Sequence, residues 1–193
     1  MKIFSARQAW HDCTYNPAPG QSSEVVQLGV VVQSTKRGPT ANHAIHSALA
    51  GHIQSAIARL HPQVRVFGEY MYAANRDDDI RAAAEEVVFG MVVSKSKRMT
   101  AAKREKLVYV VKGVMFRYRY MHQGGQSANQ DPLIKPEGFR GWLMAEHGVR
   151  LESCNWDRDW QCFVRLAFDC CEDLDRMALS PVGAVIYSMR EAA

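Results

Sequence analysis

Residues 100–123, TAAKREKLVYVVKGVMFRYRYMHQ, form the longest strongly periodic segment of the chain and decide its fold class. Their apolar residues recur at three- and four-residue spacing, the pattern of an α-helix with one core-facing side. Thr100 is a suitable N-cap, and Gly124 and Gly125 end the segment as glycines often end helices. The predicted core-facing stripe consists of Leu107, Val110, Val111, Val114, Tyr118 and Met121.

The opposite side of this helix combines aromatic and basic residues. Tyr109, Phe116 and Tyr120 fall within about 40° of each other on a helical wheel. Nine cations lie in the helix or just before it: Lys95, Lys97, Arg98, Lys103, Arg104, Lys106, Lys112, Arg117 and Arg119. Glu105 is the one acidic residue among them. Such a surface suits phosphate contacts and base stacking; a second buried side with solvated charges at its borders is the competing interpretation.

The chain of 193 residues predicts a single helical domain, residues 1–193, with an ordinary globular composition. Its charge is uneven, because residues 1–121 hold 17 basic and 9 acidic residues whereas residues 122–193 hold 7 basic and 11 acidic ones. We therefore distinguish a basic part, 1–121, from a more acidic helical part, 135–193. The asymmetry predicts a basic side for a polyanion and an acidic side for a protein partner. Docking of the acidic part onto the basic part and chance surface variation are the alternatives.

A polar loop, residues 124–134 (GGQSANQDPLI), connects the two parts. It is rich in glutamine, asparagine, serine and glycine, whose side chains can read base edges or stay hydrated. We predict that Gln123 and Gln126 contact nucleic acid together with the nine cations.

No segment approaches the ~20 consecutive apolar residues of a membrane span, and the N-terminal sequence MKIFSARQ lacks the hydrophobic core of an export signal. We therefore expect a cytoplasmic protein without membrane contact. Four of its five cysteines lie after residue 150. They are expected to be reduced thiols, mostly buried.

The remaining periodic segments predict a compact, mainly α-helical domain of about seven helices. Residues 25–32 (Val25 to Val32) are ambiguous, because β-branched residues favour a strand while nearby serine caps favour a helix. A helix is our interpretation there, with a small β element as the alternative. Near the C-terminus we expect one helix from 156 to about 179, and another that opens at Ser180-Pro181.

No pattern predicts a catalytic or metal site. The cysteines of residues 154–171 lack the spacing of a structural zinc site, and core thiols explain them better. The carboxylates between Asp157 and Asp175 are expected to form a solvated helix face rather than a two-metal nuclease site. We therefore expect a non-enzymatic protein without metal or cofactor.

The passage KREKLVYVVKGVMFRYRYMHQGGQS, residues 103–127, and the helical tail 135–193 resemble the layout of phage-encoded late-gene antiterminators of the Q type. One branch of such proteins carries a zinc-binding cysteine cluster, which this chain lacks. The resemblance implies a transcription regulator that binds a DNA element near a promoter and RNA polymerase. It implies phosphate contacts from the cations of 97–119 and base contacts from polar loop residues, among them Gln123, Gln126, Asn129 and Gln130.

Two functional hypotheses follow. The first is a nucleic-acid-binding transcription regulator, with DNA expected rather than RNA and antitermination as its specific activity. The alternative is a phage-type inhibitor that binds a host protein complex without touching nucleic acid, and the charge asymmetry of the chain motivates it.

Overall fold

The computed structural model of the chain describes residues 5–14, 41–74, 77–97, 99–122, 129–152 and 154–191. Over these ranges it contains seven α-helices and no strand, which confirms the predicted mainly α-helical class. The helices are α1 (Ala6–Thr14), α2 (Ala41–Ala58), α3 (Pro62–Tyr72), α4 (Asp78–Lys95), α5 (Ala101–His122), α6 (Pro136–His147) and α7 (Cys162–Glu191). The ambiguous residues 25–32 lie outside the described ranges.

The long C-terminal helix α7 is the centre of the fold, because each of α1 to α5 packs against it. Its apolar residues keep helical spacing along most of its length and are almost completely buried: Val164, Ala167, Cys170, Cys171, Leu174, Ala178 and Val182. A π-helical turn, Asp157–Gln161, leads into it. Since a fully buried large apolar side chain contributes about 1.5–3 kcal/mol, this helix supplies much of the core.

Helix α5 buries five of the six residues of the predicted stripe, and Met121 is only partly buried. Leu107, Val110, Val111 and Val114 have no exposed surface. Thr100 is the predicted N-cap, since its hydroxyl accepts a hydrogen bond from the Lys103 amide at 3.4 Å. The buried stripe fixes which side of α5 meets α7 and which side is left for other contacts.

Several helix ends also follow from local sequence. The Asp77 carboxylate caps α4 by accepting from the Asp79 amide at 2.8 Å. Gly148 closes α6 in the left-handed region, at φ 65°, where a residue with a Cβ is strained. Pro62 and Pro136 each open a helix, at the position where the missing N–H costs nothing.

The predicted break at Ser180-Pro181 is wrong, because α7 runs through Pro181 without interruption. A proline inside a helix loses one backbone hydrogen bond, at a cost of about 3 kcal/mol. The Ser180 hydroxyl donates to the Arg176 carbonyl at 2.7 Å, which adds a contact in the turn before the proline. Val182 and Ile186 are buried beyond it, so core burial offsets the loss and the helix continues.

None of the helices in the described ranges combines the length and the apolar composition needed to cross a membrane.

Candidate functional site

Two cations of the predicted binding surface are paired with carboxylates that follow α5 in the chain, one in the acidic part and one in the polar loop. The Lys95 ammonium donates to Asp173 at 2.9 Å, and this hydrogen bond raises the pKa of Lys95. The Arg117 guanidinium binds Asp131 through two nitrogens, with Nε 3.0 Å from Oδ1. The acidic part thus docks onto the basic part within one chain, which is one of the interpretations of the charge asymmetry.

Arg117 lies in the interior, with 8% of its surface exposed. Its guanidinium lies 5.3 Å from the ring centroid of Phe139 and 4.9 Å from that of Phe168. Burial opposes ionisation of Asp131, but hydrogen bonds from Arg117 and from the Leu133 amide outweigh it and lower the pKa of that carboxyl. Arg117 therefore holds the connecting loop to α5 and is not part of an exposed basic surface.

Lys112 and Arg119 lie in a cleft of about 570 Å³ that residues of α3, α4, α5 and α6 enclose. The Lys112 ammonium is 3.4 Å from a carboxylate oxygen of Glu85. The Arg119 guanidinium lies 4.8 Å from the ring centroid of Tyr70. Its Nε is buried and has no hydrogen-bond partner among the described residues. Both cations are engaged with the walls of the cleft.

The aromatic side of α5 opens into this cleft. Phe116 and Tyr120 are 39% and 43% exposed and are among its lining residues. The Phe116 ring stacks on Trp142 of α6, with centroids 5.0 Å apart and planes at 18°. Tyr109 is only partly exposed and lies 5.4 Å from the His147 ring. Two of the three predicted aromatic contacts are therefore accessible, and they share one concave surface.

Carboxylates outnumber cations around these aromatic rings. The lining carboxylates are Glu69, Asp77, Asp78, Glu85 and Glu146, against the cations Arg81, Lys112 and Arg119. We call this concavity the acidic aromatic cleft. Trp142, Glu146 and His147 were not identified from the sequence, because no periodic signal shows that α6 lies across α5.

The other described cations of the predicted surface surround the N-terminal turns of α5, and we call them the basic end of α5: Lys97, Lys103, Arg104 and Lys106. Arg104 is exposed and lies 5.9 Å from the ring centroid of Phe89. The Lys106 ammonium donates to the Arg150 carbonyl at 3.3 Å.

Lys103 is the most constrained cation of the basic end. Its ammonium is 5.0 Å from the Phe163 ring centroid and 3.9 Å from an Asp159 oxygen. That carboxylate is shared, because the Arg158 guanidinium donates to it at 3.1 Å. The hydrogen bond from Arg158 lowers the pKa of Asp159. Lys103 therefore brings less uncompensated charge to the basic end than Arg104 does.

Arg98, Gln123 and Gln126 lie outside the described residues, so their predicted contacts stay predictions. Asn129, in the described part of the loop, donates through its amide side chain to the Tyr120 carbonyl at 2.9 Å. Its backbone amide donates to the Met121 carbonyl at 3.1 Å. Asn129 thus caps the C-terminal turn of α5.

A buried polar cluster joins four helices and was missed from the sequence. Asp175 of α7 is 5% exposed, although its acidic neighbours suggested a solvated helix face. It accepts hydrogen bonds from the hydroxyls of Tyr72 and Tyr118 and from Arg7. Asp175 follows Cys171 and Leu174 on the buried stripe of α7, but its hydrogen-bond partners lie on three other helices.

The cysteines are less buried than predicted. Cys170 and Cys171 are buried, but Cys154 and Cys162 are exposed and Cys13 is intermediate. Within the ranges that the structure describes, no three His, Cys, Asp or Glu side chains form a group that could hold a metal ion.

Comparisons of the chain with protein-family models, with curated proteins and with solved structures give no match. The functions proposed below for individual residues therefore depend on the contacts, burial and charge of the described side chains.

Proposed function

We propose that the protein is a non-enzymatic nucleic-acid-binding regulator that contacts phosphates through the basic end of α5. The observation that carries this proposal is uncompensated positive charge. Among the described residues, neither Lys97 nor Arg104 has a carboxylate within 4.0 Å, and both are exposed. Cations that are not paired internally are the ones free to replace the counterions of a phosphate backbone.

The N-terminus of α5 adds to this charge. Helix N-termini carry a partial positive charge of about half an elementary charge, which favours anions. Lys103 and Arg104 in the first turn oppose that dipole, a cost that a bound phosphate removes. Duplex DNA has regularly spaced phosphates and therefore suits a short cluster of cations on one protein edge.

The basic end predicts a measurable salt dependence. If its four cations each meet a phosphate, the logarithm of the affinity for duplex DNA falls against the logarithm of salt with a slope of about −3.6. Loss of Lys97 and Arg104 together removes about half of that slope. Contacts from polar loop residues to bases would add sequence preference but would leave the slope of affinity against salt unchanged.

The test is a titration of duplex DNA at several salt concentrations, followed by fluorescence polarisation. The variant Lys97→Ala with Arg104→Ala is expected to bind more weakly, with the slope smaller by about 2. Arg81→Ala is the control for loss of a cation outside the basic end, because Arg81 lies in the first turn of α4, about 21 Å along that helix from Lys95. That separation exceeds the Debye length of about 10 Å at 0.1 M salt. Salt-independent binding, or an equal loss in the control, would contradict the proposal.

The more specific proposal is antitermination in the cytoplasm, which the resemblance to phage late-gene antiterminators supports. The protein would then bind DNA near a promoter and act on RNA polymerase. A purified transcription reaction with a terminator downstream of the promoter tests this. Addition of the protein is expected to increase read-through, and the Lys97→Ala with Arg104→Ala variant is expected to do so less. Unchanged read-through at saturating protein would remove antitermination while leaving DNA binding to its own test.

A second function, binding to a host protein complex without nucleic-acid contact, is favoured by the acidic aromatic cleft. Capture of partners from a nuclease-treated lysate separates the two functions when combined with the DNA titration. A stoichiometric protein partner together with no DNA affinity would support the second function in place of the first.

A further inference from the structure

We infer that the acidic aromatic cleft binds an arginine-containing segment of a partner protein. The inference is independent of the basic end of α5, and it specifies the kind of partner for the second function. It rests on two features of the cleft: its exposed aromatic rings and its surplus of carboxylates.

The aromatic surface of the cleft suits a flat cation. Phe116 and Tyr120 lie with ring centroids 6.4 Å apart and planes at 30°, and Phe116 is backed by Trp142. A guanidinium stacks on such rings by cation–π attraction and by planar contact. Arg119 already makes this kind of contact with Tyr70 at another wall of the cleft, so the local environment accommodates guanidinium groups.

The carboxylates of the cleft are only partly neutralised. Glu85 is approached by both cations near it, at 3.4 Å from Lys112 and 3.9 Å from Arg81. Arg81 also lies 3.3 Å from Asp78, and Arg65 lies 3.5 Å from Glu69. Asp77 accepts the hydrogen bond that caps α4. Glu146 is exposed and forms no ion pair within the part of the chain that the structure describes, so it is the carboxylate left for a partner. A carboxylate beside exposed aromatic rings is the pairing that arginine recognises through charge-assisted, often bidentate hydrogen bonds.

The same charges disfavour a phosphate backbone in this cleft. Phosphates would approach five carboxylates, and like charges brought together at an interface repel each other. The cleft and the basic end of α5 therefore select opposite charges on two surfaces of the protein.

The test uses three fluorescein-labelled peptides: one with two central arginines, one with citrulline in their place and one with glutamate. Citrulline keeps the shape of arginine but removes its charge. In fluorescence polarisation the wild-type protein is expected to bind the arginine peptide at least about tenfold more tightly than either of the others. The variant Tyr120→Ala with Glu146→Gln is expected to lose that preference, and each single variant to lose part of it.

The matched control is Tyr187→Ala with Glu152→Gln. Tyr187 is 64% exposed on α7 and Glu152 is exposed beyond α6, so the control removes the same ring and the same charge outside the cleft. It is expected to bind like the wild type. The variant Lys97→Ala with Arg104→Ala, used for DNA, is also expected to keep peptide binding, which separates this test from that of the proposed function. No binding of the arginine peptide at about 1 mM, equal binding of the citrulline peptide, or an equal loss in the control would overturn the inference.

Discussion

The hydroxyl of Tyr118 donates a hydrogen bond to the carboxylate of Asp175 at 3.2 Å, joining α5 to the centre of α7. The Tyr72 hydroxyl donates to the same carboxylate from α3, and the Arg7 guanidinium donates from α1 at 3.0 Å. Burial raises the pKa of both tyrosines, so the hydroxyls remain protonated donors. One buried carboxylate therefore fixes the relative positions of four helices.

Replacement of this carboxylate is expected to be strongly destabilising. Asp175→Ala leaves two buried hydroxyls and the Arg7 guanidinium without their acceptor, and we expect a loss of about 2–4 kcal/mol in the free energy of unfolding. Urea unfolding, followed by circular dichroism, measures this loss. An unchanged m-value would show that the wild type and the variant expose the same surface on unfolding. Asp169→Ala is the control, because Asp169 is exposed on the same helix; its effect should stay within about 0.5 kcal/mol. Equal effects of the two changes would show that Asp175 contributes no more than a surface carboxylate.

The helices could be predicted because their signals are local. Apolar spacing in residues 100–123, the Asp77 cap and Gly148 each depend on residues within a few positions of one another. The position of Asp175 depends on Tyr72, which lies 103 residues away along the chain. No local pattern encodes such a contact, so the acidic run around Asp175 resembled a solvated surface.

The Arg117–Asp131 ion pair predicts a specific dependence of stability on pH. The folded-state pKa of Asp131 lies below its ordinary value of 3.8, so the pair contributes stability that is fully present above that value. This contribution is lost as the pH falls through the folded-state pKa. The stability difference between the wild type and Asp131→Asn should therefore be constant at neutral pH and shrink below about pH 4. Urea unfolding across this range checks it, and a difference that grows as the pH falls would contradict the assigned role of Asp131.

The cysteines should separate into two kinetic classes on reaction with a thiol reagent. Cys154 and Cys162 are exposed and should react quickly in the native protein. Burial raises the pKa of Cys13 to about 11 and also raises the pKa of both Cys170 and Cys171, which leaves little reactive thiolate. We expect two thiols labelled rapidly and three only after unfolding, counted with Ellman's reagent. More than two fast thiols would show that α7 or α1 opens readily.

The candidate surfaces could be predicted in part. The sequence identified the cations of the basic end and the exposed pair Phe116 and Tyr120. It did not show that α6 lies across α5, and so it missed the carboxylates around those rings. Nor did helical spacing reveal that Arg117 is buried, since its partner Asp131 lies in a loop without periodicity. A helical wheel thus predicted which residues of α5 share a surface, but it did not predict which of its cations pair with carboxylates elsewhere in the chain.

The contact between α5 and α6 depends on Gly113, and this gives a sharp test of the position of α6. A Cβ at Gly113 would lie 2.6 Å from Cε2 and 2.8 Å from Cζ of Phe139. Both are too close, and Phe139 is 1% exposed and packed against the Arg117 guanidinium, so its ring has little room to move. Gly113→Ala is therefore expected to destabilise the protein by about 1–3 kcal/mol, although alanine is the better helix former by about 1 kcal/mol.

Gly90→Ala on α4 is the matched control, because nothing lies within 4 Å of its added Cβ. It is expected to stabilise the protein by up to about 1 kcal/mol through helix propensity and reduced freedom of the unfolded chain. Phe139→Leu combined with Gly113→Ala should recover part of the loss, because the smaller side chain makes room for the new methyl group. Thermal and urea unfolding of the wild type, Gly113→Ala, Phe139→Leu and the double variant, as a double-mutant cycle, measures this coupling. If Gly113→Ala stabilised the protein as Gly90→Ala does, α6 would not lie against Gly113, and the wall of the cleft that Trp142 forms would be misplaced with it.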